Sequence, residues 1–113
     1  MPRRVPITGG AGFVGQWLTR ALLRRNDQVF AGVVHWPARA PLLSADERAL
    51  VKWTMLDVRS DDEVARALDA SAPDTIIHLA GIAFAPEANA SPVRAFETNA
   101  LGAMRLINKL AAS

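Results

Sequence analysis

The sequence has 113 residues, half of them hydrophobic, with a formal net charge of only +2 at pH 7. This length fits one small domain and excludes a two-domain enzyme. Cysteine is absent, which excludes disulfides, thiolate metal sites and a cysteine nucleophile. The basic residues are scattered and no apolar run reaches about 18 residues. We therefore predict a cytoplasmic domain with no nucleic-acid partner, no membrane span and no bound metal.

The first half of the chain alternates apolar runs with an amphipathic segment. Residues 5–8 form an apolar run that stops at a glycine-rich turn, which is typical of a buried strand. The residues after this turn predict a helix. Its predicted inward face is Val14, Leu18, Ala21 and Leu22, and its solvent face is Gln16, Arg20 and Arg24. Residues 28–34 are continuously apolar, as in a parallel strand covered on both faces.

Capping patterns organise the second half. Ser44 with Glu47, and Ser60 with Glu63, have the spacing of a capping box and predict two helix starts. Residues 50–56 and 74–81 are predicted as the third and fourth strands. Val64, Ala67 and Leu68 share the inward face of the second of these helices.

Ser91 before a proline predicts the start of a long final helix. Asn99 lies three residues after Phe96 and four before Ala103, so we place it on an inward stripe. The apolar members of that stripe are Val93, Phe96, Ala100, Ala103, Met104, Ile107, Leu110 and Ala111.

This alternation of strands and helices predicts an α/β fold. Right-handed crossovers then give a doubly wound parallel sheet of strand order 3-2-1-4, with helices on both faces. Neither a linker nor a repeat interrupts residues 1–113, so we predict one continuous unit.

The glycine turn carries the sharpest chemical signal. Gly10-x-Gly12-x-x-Gly15 lies between a strand and a helix, as the dinucleotide fingerprint requires. Gly9 permits a sharp turn, Gly12 lets a pyrophosphate approach the backbone, and Gly15 lets the helix pack closely. The N–H groups of Phe13 and Val14 would then receive the phosphate charge. The alternative is an ordinary structural turn.

Residues 8–15, TGGAGFVG, resemble the glycine turn of the extended short-chain dehydrogenase/reductase superfamily, the NAD-dependent epimerases and dehydratases. The resemblance continues through residues 56–58, 78–81 and 99–102. It implies the N-terminal part of an NAD(P)-binding Rossmann domain from a nucleotide-sugar epimerase, dehydratase or reductase that transfers hydride. Residues 78–87, HLAGIAFAPE, are similar to GDP-mannose 4,6-dehydratases and GDP-4-keto-6-deoxymannose reductases, which implies a GDP-linked sugar.

The resemblance also implies residue roles. Asp57 would bind the adenine amino group with Val58 beside the ring, although Asp57 could instead only end a strand and start a helix. Asn99 would lie near the cofactor, or make a purely structural bond. His78 lies in an apolar strand, and we interpret it as a core residue. The predicted cofactor-binding set is Gly9, Gly12, Phe13, Val14, Gly15, His35, Arg39, Asp57, Val58, Leu79, Ala80, Gly81 and Asn99.

Three departures from the family pattern qualify this reading. NAD-selective members of the family carry a carboxylate at the end of strand 2, which binds the ribose hydroxyls. In this sequence that position falls at Val33. The nearby His35 and Arg39 could face a 2′-phosphate instead, which favours NADP over NAD. Pro6 costs the first strand one hydrogen bond, about 1 kcal/mol. The family's catalytic Tyr-x-x-x-Lys is missing, because the chain contains no tyrosine.

We therefore expect no catalytic residue, no substrate domain, an incomplete sheet and no turnover by these 113 residues alone. The full-length protein could form a homodimer. Two alternatives stay open: a non-catalytic NAD(P)-binding sensor or docking module, and a fragment that binds nothing stably.

Overall fold

The computed structural model describes residues 2–80 and 90–111. Strands and helices alternate through the first part of the chain as β1 Arg4–Thr8, α1 Phe13–Arg24, β2 Gln28–Val33, α2 Ala45–Leu50, β3 Lys52–Met55, α3 Asp61–Ser71 and β4 Ile77–His78. A last helix then comprises α4 Pro92–Phe96, a π-helical turn Glu97–Leu101 and α5 Gly102–Ala111.

The four strands form one parallel sheet in the order β3-β2-β1-β4, which confirms the predicted topology. Thr8 lies opposite Gly32 on one side and His78 on the other, and Val33 lies opposite Met55. The carboxyl ends of all four strands therefore meet along one edge. Pro6 stays within β1 and is paired with β2, as predicted.

Two apolar clusters hold the helices against the sheet. One joins β1 and β2 to α1 through residues that include Ile7, Ala31 and Leu22. The other joins Leu56 and the face of α3 to Leu106 of α5. Because the crossovers through α1 and α3 run in opposite directions across the sheet, right-handed connections place these helices on opposite faces.

Strands 3 and 4 are shorter than predicted. Leu50 ends α2 and is exposed, so the third strand begins only at Lys52. The fourth strand covers only Ile77–His78, and its side chains are half-buried. β4 lies at the edge of the described sheet and pairs with β1 alone, which explains why its side chains are not covered.

The predicted inward face of α1 was wrong in part. Leu22 is buried as predicted, but Gln16 and Thr19 are buried as well, and Val14 is 59% exposed. Gly15 packs closely against the glycine turn, so the side of α1 that carries Gly15, Gln16 and Thr19 faces inward. Gln16 is satisfied there, because its amide donates to the carbonyl of Ala11 and accepts from the N–H of residue 42.

The predicted inward stripe of the last helix was also wrong. Phe96 and Asn99 are exposed, and the buried positions are Ala95, Gly102 and Leu106. The apolar residues Val93, Met104, Ile107 and Leu110 are likewise exposed. The helix contacts α3 through its glycine side, where ion pairs such as Arg105–Asp61 and Lys109–Asp69 add to the packing. A π-helical turn inserts one extra residue into the helical phase, which a regular 3.6-residue pattern does not anticipate.

The capping predictions hold at α2 and α3, whereas Ser91 precedes α4 as predicted but its side chain makes no cap hydrogen bond. Ser44 and Glu47 form a complete capping box at α2, and the Ser60 hydroxyl accepts from the N–H of Glu63 at α3. Val64, Ala67 and Leu68 are buried as predicted. None of the helices in residues 2–80 and 90–111 is long and apolar enough to cross a membrane.

Candidate functional site

A cavity of about 900 Å³ lies along the edge where the carboxyl ends of the four strands meet. Its walls come from the glycine turn, the loops after β2 and β3, the end of β4 and the start of the last helix. Eight of the predicted cofactor residues line it: Gly9, Gly12, His35, Arg39, Asp57, Val58, Leu79 and Ala80. The volume is within the range of cofactor pockets, and the place is the switch point of a doubly wound sheet.

The glycine turn is built so that side chains would not fit at three of its positions, one of which is Gly10, where a Cβ would lie 2.7 Å from the Cβ of Ala31. Gly9 has φ +65°, and a Cβ there would lie 2.9 Å from the backbone nitrogen of Ala80. A Cβ on Gly15 would lie 2.7 Å from the carbonyl oxygens of both Gly9 and Gly10. Gly12 differs, because its Cβ would meet only the Gly9 oxygen at 3.3 Å. Gly12 therefore lies open to the cavity, whereas Gly15 serves the packing of α1.

The first turn of α1 presents unpaired donors. No side chain caps this helix, and its first turn carries no acidic residue. The N–H groups of Phe13 and Val14 belong to the first turn of the helix and have no intrahelical acceptor. The side chains of both residues are mostly exposed and do not line the cavity, so any role of theirs toward an anion is a backbone role.

Thr8 organises the end of β4, a role that the sequence reasoning missed. Its hydroxyl oxygen accepts from the N–H groups of Leu79 and Ala80, at 3.0 Å each, and lies 2.6 Å from Nδ1 of His78. If the hydroxyl oxygen accepts from both N–H groups, its proton is donated to Nδ1 and the imidazole proton lies on Nε2. A buried threonine at the end of a central strand, directly before the glycines, was the available signal.

His78 lies half-buried at the end of β4, and its interpretation as a core residue stays a prediction. Burial lowers the pKa of its imidazole, so the ring is neutral near pH 7. Its Nδ1 is satisfied by Thr8, whereas Nε2 is buried and has no hydrogen-bond partner among the residues that the structure describes.

Asp57 both lines the cavity and shapes the turn into α3. Its carboxylate accepts from the backbone N–H of Arg59 at 2.9 Å and from the guanidinium, with Nη2 at 2.6 Å. Its own N–H donates to the carboxylate of Glu63 at 3.0 Å. The Arg59 guanidinium holds the pKa of Asp57 below its usual range, so the group is an anion at neutral pH. Asp57 thus makes the contacts that its structural alternative requires and is also a lining residue of the cavity, so both roles stay predictions.

Three arginines and one carboxylate supply the formal charges of the cavity lining. His35 and Arg39 line it from the loop after β2, Arg59 follows Asp57, and Arg94 projects from α4. Among the lining residues of the described chain, Asp57 is the only carboxylate. Since Arg59 already neutralises that carboxylate, the cavity has an excess of positive charge and is suited to an anionic ligand.

Nine of the lining residues were not in the predicted set, and Trp36, Arg59, Arg94 and Thr98 are the largest or most polar of them. Trp36 and Arg59 directly follow predicted residues, and their proximity to the strand ends was the available signal. Thr98 lines the cavity from the π-helical turn, in the position expected of Asn99. Its place depends on the helical phase, which the sequence pattern misjudged.

The remaining members of the predicted set lie elsewhere. Gly15 is buried in the packing of α1, and Asn99 is exposed and is not among the lining residues. Gly81 lies outside the described residues. In residues 2–80 and 90–111, no group of three or more potential ligands is placed to hold a metal ion.

Comparison with known proteins shows the family. The model of the NAD dependent epimerase/dehydratase family matches residues 5–113. GDP-6-deoxy-D-mannose reductase from Pseudomonas aeruginosa is 32% identical over 112 residues, which cover 99% of this chain and 31% of the reductase. A UDP-glucose 4-epimerase from Klebsiella pneumoniae is 26% identical over 113 residues, covering 97% of this chain and 81% of the relative.

A solved structure agrees in fold. The UDP-glucose 4-epimerase of Thermus thermophilus, in complex with NAD, superposes with a TM-score of 0.80 and is 29% identical, over 94% of this chain and 33% of that one. The chain thus spans about a third of the length of the reductase and of the Thermus epimerase. Because the family model covers nearly all of its residues, the chain belongs to the NAD-dependent epimerase/dehydratase family.

Proposed function

We propose that this chain binds an NAD(P) dinucleotide along the strand-end cavity, as the cofactor-binding part of a nucleotide-sugar epimerase, dehydratase or reductase. The observation that carries the proposal is the continuity of the cavity. It runs from the loops after β2 and β3, past the uncapped start of α1, to the end of β4. An elongated ligand with a central diphosphate fits that sequence of surfaces.

The surfaces support one orientation of the dinucleotide. The pyrophosphate would lie against Gly12, where the N–H groups of α1 point and no side chain intervenes. The adenosine end would lie between the loop after β2 and Asp57. The nicotinamide end would lie toward Leu79 and Ala80, whose N–H groups are already held by Thr8. The Thermus epimerase, which was solved with NAD, supports the binding of a dinucleotide.

We further propose a preference for NADP. The end of β2 carries Val33, Val34 and His35, so no carboxylate is present to bind the ribose hydroxyls or to repel a 2′-phosphate. His35 and Arg39 line this end of the cavity. An arginine–phosphate pair is a strong charge-assisted interaction.

The chemistry of the reaction is supplied by the nicotinamide, which exchanges a hydride with the sugar when the cofactor is bound. The described residues bind and orient: Thr8 fixes the backbone of β4, and Asp57 and the cations select the adenosine end. We expect binding without turnover from these 113 residues, because the tyrosine acid–base that the family resemblance implies is not among them.

The sugar substrate is proposed to carry GDP. The similarity of residues 78–87 to GDP-sugar enzymes supports this, as does the 32% identity to GDP-6-deoxy-D-mannose reductase. Relatives named as UDP-glucose 4-epimerases match over the same region. Competition between GDP- and UDP-sugars for a protein that also carries a substrate domain tests which nucleotide the sugar carries.

Calorimetric titration of the 113-residue chain with NADPH and NADH tests the cofactor proposal. We expect NADPH to bind on the order of tenfold more tightly, equivalent to about 1.4 kcal/mol. Arg39→Gln should remove that difference by weakening NADPH alone, and Arg24→Gln on the exposed end of α1 is the matched control. Equal or reversed affinities would refute the NADP preference. If neither dinucleotide binds, the proposed function is wrong.

A further inference from the structure

Trp36 is a large aromatic side chain that lines the cavity and does not pack in the apolar core. Its indole is 61% exposed, and it follows β2 by three residues. The other two tryptophans have contacts: Trp17 packs edge-on with Phe13 and lies under the Arg20 guanidinium, and Trp53 donates its N–H to a carbonyl. No hydrogen bond or ring contact of Trp36 occurs in the part of the chain that the structure describes.

The neighbouring walls show why an aromatic surface matters here. The family resemblance assigns the apolar contact with adenine to Val58, but Val58 is only 1% exposed. Its side chain packs into the second apolar cluster, where the Cγ2 atom lies 2.5 Å from the position of a Cβ on Gly102. The accessible apolar surface at the adenosine end therefore comes from the loop after β2, where Val34, Pro37 and Trp36 are exposed, and Trp36 is the aromatic side chain among them.

The charges around Trp36 favour a nucleotide over a purely apolar ligand. His35 and Arg39 flank it in sequence, and all three residues line the cavity. An aromatic plane next to cationic side chains is the combination that proteins use to stack a base while holding its phosphate. A simple apolar ligand would gain nothing from the cations.

We infer that Trp36 stacks on the adenine ring of the bound dinucleotide and supplies the adenine affinity that buried Val58 does not. This inference rests on the proposed function, and it names a residue that the family motif does not. Stacking does not distinguish the 2′-phosphate from a 2′-hydroxyl. Trp36 therefore affects NADPH and NADH alike, unlike Arg39.

Affinity measurements on the full 113-residue chain test the inference. Trp36→Ala should weaken binding of NADPH, NADH and ADP by roughly tenfold or more, the size of one base–aromatic contact. Trp36→Phe should recover most of that loss. Trp17→Ala, which changes an exposed tryptophan outside the cavity, should leave all affinities unchanged.

Fluorescence adds a readout that a general structural defect would not reproduce. We expect ADP and 2′,5′-ADP to quench an emission component that is absent from Trp36→Phe, and nicotinamide mononucleotide, which lacks adenine, to leave it unchanged. Wild-type affinity for ADP in Trp36→Ala, with dinucleotide binding intact, would overturn the stacking role alone. Absence of binding by the wild-type chain would overturn the proposed function and the stacking role with it.

Discussion

Substituting alanine at two glycines three residues apart should separate folding from binding. A Cβ on Gly15 would lie 2.7 Å from two backbone oxygens, those of Gly9 and Gly10, and backbone cannot move aside as a flexible side chain can. A Cβ on Gly12 would meet a single oxygen at 3.3 Å, in a residue whose φ of −71° any side chain accepts. The two variants add the same methyl group in different surroundings.

The expected magnitudes differ in both stability and affinity. Overpacking costs about 1–3 kcal/mol, and the two backbone oxygens place Gly15 in the upper half of that range, above the gain of roughly 1 kcal/mol that alanine has over glycine inside a helix. We expect Gly15→Ala to lower the free energy of unfolding by about 1–2 kcal/mol. Gly12→Ala should change it by less than about 1 kcal/mol, the scale of a lost glycine N-cap. Its methyl group instead occupies the approach of the pyrophosphate, so NADPH affinity should fall on the order of tenfold.

Urea denaturation followed by tryptophan emission measures the first quantity, and calorimetric titration of folded protein measures the second. The contrast between the variants is the test, because either loss alone has several explanations. Wild-type stability of Gly15→Ala would show that α1 can move away from the turn at little cost. Wild-type affinity of Gly12→Ala would show that the phosphate does not approach the backbone at this position.

Three further predictions concern stability. Thr8→Val should lower the free energy of unfolding by about 1–3 kcal/mol in urea denaturation, since it removes the hydroxyl that pairs with Nδ1 of His78 and with the part-buried N–H of Ala80; an unchanged midpoint would contradict the network. Burial lowers the pKa of His78 in the folded chain, so as the pH falls this imidazole is protonated in the unfolded chain before it is protonated in the folded one. The melting temperature should therefore fall as the pH drops below about 6.5. His78→Gln should flatten that dependence, and a slope equal to wild type would exclude His78 as its cause. The Arg20 guanidinium lowers the pKa of Glu47 to about 2, so its stabilisation is present above pH 4.5 and lost as the pH falls toward 2. The difference between wild type and Glu47→Gln should therefore vanish in acid, and a constant difference would refute the ion pair.

The features that depend on backbone chemistry were predictable from the sequence. The strand order followed from alternation and right-handed crossovers, and the cavity from the position of the glycine turn. Ser44 and Ser60 start helices because capping is a local interaction between residues three apart. Each of these signals is contained within a short segment or follows from chain connectivity.

The wrong predictions concern which face of a helix packs against its neighbours, in α1 and in the last helix. Gln16 was assigned to solvent on polarity, yet the contact of Gly15 with the turn dictates which side of α1 is inward. Phe96 and Asn99 were assigned inward on spacing, but the π-helical turn changes the phase and the small residue Gly102 makes the contact with Val58. Close approach of small residues outweighed hydrophobic periodicity in both helices.

The same distinction divides the proposed site into two parts that can change independently. The phosphate end consists of glycines and helix N–H groups, so its chemistry is inseparable from the fold. The adenosine end consists of side chains in the loop after β2. Among them, Trp36 and Arg39 are exposed and are not part of the apolar core. Substitutions at these two positions should therefore alter cofactor affinity and choice while the free energy of unfolding stays within the range of surface changes, about 0.5 kcal/mol. A loss of stability that paralleled the loss of affinity at Trp36 or Arg39 would mean that the loop supports the sheet edge and that its contacts are not reserved for a ligand.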